Sequence, residues 1–122
     1  MARTVNCIKL GREAEGLEYY FIIERHDGIA CGTVRLYDIG PDSFTWGSWI
    51  LDHNKPSKAA LESAFLIYQA AFDQLGLALA VFDVRQENVK TLAFHRRFGA
   101  IETHRTDLEI FFNYPKSRFE TD

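Results

Sequence analysis

The chain has 122 residues, 47% of them hydrophobic and 25% charged, the length and balance of one soluble globular domain able to bury a core. A formal net charge of -3 argues against a nucleic-acid or anionic-membrane surface, and no apolar run is long enough to span a bilayer. The start, MARTVNCIKL, has no signal-peptide core or cleavage site, and Cys7 and Cys31 have neither metal-ligand spacing nor a secreted-type framework. Both read as reduced thiols of a cytoplasmic protein, Cys31 as a small buried hydrophobe.

Residues 1–16 hold one short candidate strand, VNCIKL, and a polar connection, GREAEG. LEYYFIIE, residues 17–24, is aromatic and β-branched and predicts a strand. Asp27-Gly28 is a hairpin signal, and residues 29–39 form the return strand. On that strand Val34 and Leu36 point one way and Thr33, Arg35 and Tyr37 the other. Gly40-Pro41-Asp42 turns the chain into a third strand, SFTWGSWIL, residues 43–51. Three strands joined by tight turns make an antiparallel meander.

From Lys55 to Gly99 the pattern becomes helix, strand, helix. Ser57 is the expected cap of the first helix and Gly76 its end. Leu61, Phe65, Tyr68, Phe72 and Leu75 form its apolar stripe. LALAVFDVR, residues 77–85, reads as an interior strand covered on both faces, and a strand–helix–strand unit in one sheet implies a parallel crossover. Asn88 opens the second helix and Gly99 closes it; Asn88, Leu92 and His95 share one face. Residues 100–106 and 108–114 are the last two strands, and KSRFETD is a polar tail. The fold class is α+β, a mixed sheet in one domain over residues 1–122. His26, His53 and His104 suggest no metal site.

The order and spacing of GTVRLYDI (32–39), WGSWI (46–50), the Glu62–Leu77 helix, FDVRQEN (82–88) and FHRRFG (94–99) resemble the GCN5-related N-acetyltransferases. That family moves an acetyl group from acetyl-CoA to an amine. The resemblance implies a bulge parting the strand at Gly47 from the next one. Trp49, Ile50 and Leu51 then offer backbone groups to the pantetheine amides. It implies that the turn and helix start at Lys55, Ser57, Lys58, Ala59 and Ala60 take the pyrophosphate, with Lys58 where the family has glycine. Asn88 falls where the family contacts the cofactor. His95 falls where many relatives carry the tyrosine that protonates the departing thiolate, a role an imidazole can fill. Thr45 stands where many relatives have a glutamate base, which leaves Asp83 as candidate base and Glu24 as a weaker one.

The two helices that usually precede the meander in this family do not fit in sixteen residues. An uncovered sheet face then favours a homodimer. The implied function is acetyl-CoA-dependent N-acetyl transfer to a small amine, such as an amino sugar nucleotide, or to a peptide. The alternative is a non-catalytic CoA-binding or dimeric interaction domain.

Overall fold

The computed structural model describes residues 5–13 and 18–120, the side chains of 8–13 excepted. Four strands run in antiparallel sequence: β1 (Val5–Glu13), β2 (Glu18–Arg25), β3 (Ala30–Tyr37) and β4 (Ser43–Leu51). The meander is thus one strand longer than the three expected, because VNCIKL continues through Glu13 and pairs with β2. Gly28, at φ +88, closes the β2–β3 turn and donates its N–H to the Arg25 carbonyl at 2.9 Å. The helix α1 (Ala59–Gln69) follows, then β5 (Leu79–Arg85), α2 (Val89–Phe98), β6 (Ile101–Arg105), β7 (Glu109–Pro115) and α3 (Lys116–Glu120). The sheet order is β1-β2-β3-β4-β5-β7-β6, and β4–β5 is the parallel pair.

The helices cover one face of this sheet. Trp46 of β4 is its pivot, with ring centroids 5.4 Å from Tyr68 of α1, 5.5 Å from His95 of α2 and 5.9 Å from Phe82 of β5. Its indole N–H donates to the Tyr68 hydroxyl at 3.1 Å, so both buried polar groups are satisfied. Burial pushes the Tyr68 phenol pKa up and keeps it neutral.

Four expectations change. Of the expected stripe Tyr68 and Phe72 are buried, but Leu61, Phe65 and Leu75 are 53%, 45% and 38% exposed, and the rest of the buried face of α1 is Ala59, Ser63, Ala64 and Ile67. Small residues let α1 approach the sheet closely, and a π-helical turn at Ala70–Gln74 then shifts the phase so that Ala71 and Phe72 are buried. Neither expected cap makes its bond: Lys58, not Ser57, is the cap residue of α1, and Asn88 caps α2 by position without bonding a backbone N–H. β5 alternates, burying Ala80, Phe82 and Val84 while Val81, Asp83 and Arg85 face outward, so it is covered on one side only. The polar tail forms α3, because Phe119 docks against Phe65 and Phe72 with centroids 5.2 and 5.6 Å away.

Candidate active site

The strands β4 and β5 pair only at Ser43–Leu79 and Phe44–Ala80, and then separate. β4 also carries a bulge: Gly47 opposes Arg35 and Ile50 opposes Thr33, so Ser48 and Trp49 together face Val34. The strained residue is Ser48, at φ +50, next to the Gly47 that the sequence suggested. On the other flank, β3 approaches so closely that a Cβ on Gly32 would overlap the Ile50 carbonyl oxygen. The bulge re-aims β4, and its edge toward β5 is left without a strand partner beyond Phe44.

A cavity of about 260 Å³ fills this opening and is bordered by Trp46, Gly47, Ser48, Trp49, Asp83, Asn88, Thr91 and His95, among others. Trp49 and Thr91 also border a second cavity of about 380 Å³, with Leu51, Lys55, Ala60, Lys90, Phe94 and Arg97. Ala60, Phe94 and Arg97 reach into a third, of about 360 Å³, with Ser57 and Lys58. The three share walls and form one cleft from the strand opening to the start of α1. Its far end gathers Lys55, Lys58, Lys90 and Arg97 in a chain of net charge -3.

The start of α1 suits an anion. No side chain caps it, and the first bond along the helix runs from the Glu62 N–H to the Lys58 carbonyl at 3.0 Å. The N–H groups of Ala60 and Leu61 precede that bond and belong to the donors a helix start leaves open. The Ala59 N–H donates to the Pro56 carbonyl at 3.1 Å and its side chain is fully buried, so Ala59 lies behind the groove. Trp49 ties this end to β4: its indole N–H donates to Ser63 at 3.1 Å, and Ser63 donates to the Ala60 carbonyl at 3.2 Å. Ile50 turns its side chain outward at 62% exposure and pairs its backbone with Thr33.

His95 is 4% exposed, among the rings of Trp46, Trp49, Phe82, Phe94 and Phe112, with Phe82 nearest at 4.5 Å. Burial pulls its pKa down to about 4. At neutral pH about one ring in a thousand is cationic, so the resting imidazole is neutral. Asn88 borders the same cavity, and its carboxamide oxygen accepts the Thr91 hydroxyl at 2.9 Å. Asp83 borders it from β5, and its carboxylate beside Glu109 of β7 raises the Glu109 pKa.

The structure therefore brings Trp49, Asp83, Asn88 and His95 to one end of the cleft, and Leu51, Lys55, Ser57, Lys58 and Ala60 toward the other. Sequence reasoning missed Lys90, Thr91, Arg97 and Glu109. Arg97 borders the cleft, whereas its neighbour Arg96 pairs with Glu102 at 3.3 Å. Among the described residues no group of His, Cys, Asp and Glu could hold a metal, and no helix is long and apolar enough to cross a membrane.

The parted parallel strands, the bulge and the open helix start together fit an amide-bearing arm that ends in a pyrophosphate. The family described as acetyltransferase (GNAT) domain matches residues 2–101. The chain belongs to the GNAT acetyltransferase family. A solved structure of FdhC, described as a nucleotide-linked sugar GNAT, is 46% identical, with a TM-score of 0.87 over 90% of this chain. This chain spans 64% of the FdhC chain's length. Two more distant GNAT structures share the fold. The N-acetyltransferase PseH of Campylobacter jejuni, in complex with acetyl coenzyme A, is 15% identical (TM-score 0.72, 82% of this chain and 69% of that one). The spermidine N-acetyltransferase of Vibrio cholerae, in complex with CoA and spermine, is 18% identical (TM-score 0.79, 88% and 70%). A stretch of 19 residues is 90% identical to part of a "Probable Fe(2+)-trafficking protein" of Dechloromonas aromatica (strain RCB), covering 16% of this chain and 21% of that protein. A match that short shows no family.

Proposed function

We propose that this GNAT protein is an acetyl-CoA-dependent N-acetyltransferase whose acceptor is the primary amine of a nucleotide-linked amino sugar. The observation that carries the reading is the cleft itself: β4 and β5 part after two pairs, and the opening runs to an uncapped, lysine-flanked helix start. The 46% identity to a nucleotide-linked sugar GNAT supports this choice of acceptor. Acetyl-CoA supplies the acetyl group as a thioester.

The residues divide the work along the cleft. The free edge of β4 at Trp49 and Leu51 bonds the pantetheine amides as an added strand would, while Ile50 between them turns its backbone to β3. Ala60 and Leu61 N–H groups, with Lys55, Ser57, Lys58 and Arg97, hold the pyrophosphate, and Ala59 packs behind them. Asn88, its oxygen held by Thr91, turns its NH₂ to the cofactor. The amine nitrogen bonds to the acetyl carbon as the carbon–sulfur bond breaks. Asp83, backed by Glu109, takes the amine's proton. His95 donates a neutral N–H to the departing sulfur, and the thiolate takes its proton from solvent. A homodimer, with the exposed edge strand β6 as its candidate contact, and a cytoplasmic location belong to the same reading.

Thermal unfolding with acetyl-CoA tests it. Ligand at about a hundred times its Kd adds about 2.7 kcal/mol, which for 122 residues raises the midpoint by about 10 °C. No shift at millimolar acetyl-CoA would overturn the reading. A shift without turnover of an amino sugar nucleotide would leave the non-catalytic CoA-binding domain in its place.

A further inference from the structure

Among the described residues, the sheet face away from the helices carries a cation, Arg35, that the cleft does not use. Arg35 of β3 extends across this face, 27% exposed, with its guanidinium carbon 4.0 Å from the Tyr37 ring centroid and 5.9 Å from that of Tyr20. The hydroxyls of both tyrosines, Tyr20 foremost, favour its charged form. Its ion pair with Glu18 is long, at 3.5 Å, and its Nε is buried without a hydrogen-bond partner. A planar donor fork held between two aromatic faces, with one long ion pair on its terminal nitrogens, is pre-oriented to receive an anion there.

Its position adds the second half of the argument. Arg35 lies directly opposite Gly47, which borders the cleft. The Tyr37 hydroxyl lies over Gly47, 3.1 Å from where a Cβ would stand, so a side chain at 47 would push Tyr37 aside. The cluster therefore sits on the bulged segment of β4, at the mouth of the cavity that Asp83 enters from β5. An acceptor reaching that mouth meets a carboxylate on the β5 side and a guanidinium on the β3 side. That polarity suits a molecule with an amine at one end and an anion at the other. A polyamine, cationic throughout, meets an unmatched charge at Arg35.

We propose that Arg35, framed by Tyr20 and Tyr37, is the anion subsite for the acceptor and holds the diphosphate that links the amino sugar to its nucleoside. The assignment rests on the acetyltransferase reading above and adds the determinant of its acceptor class. Glu18 gives way to the diphosphate, and the tyrosine faces flank it.

Titration of uridine or thymidine diphosphate into protein saturated with acetyl-CoA tests the subsite, because the cofactor's own phosphate site is then filled. Wild-type protein binds the nucleoside diphosphate. Arg35→Gln weakens it about tenfold or more, Arg35→Lys weakens it less, and Lys58→Ala leaves it unchanged. Arg35→Gln removes the Glu18 pair and the tyrosine contacts together with the idle Nε, so a cooperative unfolding transition is checked first to show that the variant is folded. In turnover Arg35→Gln raises KM for the nucleotide-linked amino sugar more than it lowers kcat, and reduces the preference over spermidine. Nucleoside diphosphate binding by Arg35→Gln within twofold of wild type overturns the proposal, as does absence of binding to the acetyl-CoA-loaded wild type. If acetyl-CoA itself does not bind, the enzyme reading fails separately. Titration of the ligand-free protein then decides the subsite: binding lost in Arg35→Gln keeps it, and binding lost only in Lys58→Ala removes it.

Discussion

The buried imidazole of His95 makes stability depend on pH in a window of its own. Its folded-state pKa is about 4, against about 6.5 for an unfolded chain. Above pH 6.5 both states hold a neutral ring and the residue has no pH-dependent effect. As pH falls through 6.5 the unfolded chain takes up a proton that the folded one refuses, so stability is lost until pH reaches about 4. Between pH 7.5 and pH 5 the loss is about 2 kcal/mol, and over the whole window about 3 kcal/mol. For 122 residues the smaller figure lowers the unfolding midpoint by about 8 °C. Asp27 and Glu102, whose pKa values their arginine partners lower, lose their contribution as pH falls through the ordinary carboxylate range, at the acid end of this window and beyond it. Urea titrations of wild type and His95→Phe at the two pH values isolate the effect, since groups common to both proteins cancel. The variant is expected to lose about 2 kcal/mol less than wild type. Equal losses, or a His95 NMR titration with a midpoint near 6.5, would refute the neutral ring and restore an imidazolium as the acid.

Three further substitutions probe the frame around the cleft. Gly32→Ala drives a Cβ into the Ile50 carbonyl oxygen; unfolding by urea should show a loss of about 2–4 kcal/mol, and an unchanged midpoint would mean that β3 and β4 are not so closely joined. Tyr68→Phe strips the Trp46 indole N–H of its acceptor in the core and should cost about 1–3 kcal/mol, with a change in tryptophan emission as a second readout. Phe119→Ala frees α3 from Phe65 and Phe72 and should cost about 2 kcal/mol; a neutral result would mean that the tail does not dock.

The strands were legible because their side chains alternate over a single packed face. Tyr19, Phe21 and Ile23 go inward from β2, and the same parity put Arg35 and Tyr37 on the open face of β3. The α1 stripe misled because Leu61 and Phe65 look like core at helical spacing, yet alanines allow the closer contact and larger residues are set to the flanks. A π-helical turn then breaks the 3.6-residue period that the reading relied on. The bulge was placed at Gly47 because glycine accepts positive φ without penalty, whereas the chain spends that conformation on Ser48. Asp83 and His95 could be found from an alternation and a helix face. Lys90, Arg97 and Glu109 become site residues only through how α1 and α2 sit together and how β7 pairs with β5. No local pattern encodes those relations.

Lys58 offers a way to separate charge from close approach at the phosphate end. A glycine there, as the family pattern has it, lets backbone N–H groups approach a phosphate closely; the lysine adds a long side chain and one more cation beside Lys55, Lys90 and Arg97. The two contributions respond differently to salt. Attraction among exposed charges fades as the Debye length shrinks from about 30 Å at 0.01 M to about 3 Å at 1 M, while a short hydrogen bond from a helix start is screened less. Lys58→Gly should therefore bind acetyl-CoA several-fold more weakly than wild type at low salt and equal or exceed it at high salt. Calorimetric titrations at two ionic strengths read the crossing directly. A variant that binds more tightly at every salt would show that Lys58 acts through bulk alone, and the cluster of cations would then have no part in holding the pyrophosphate. A variant weaker by the same factor at both salts would place the Lys58 ammonium in direct contact with a phosphate oxygen, where screening no longer reaches it.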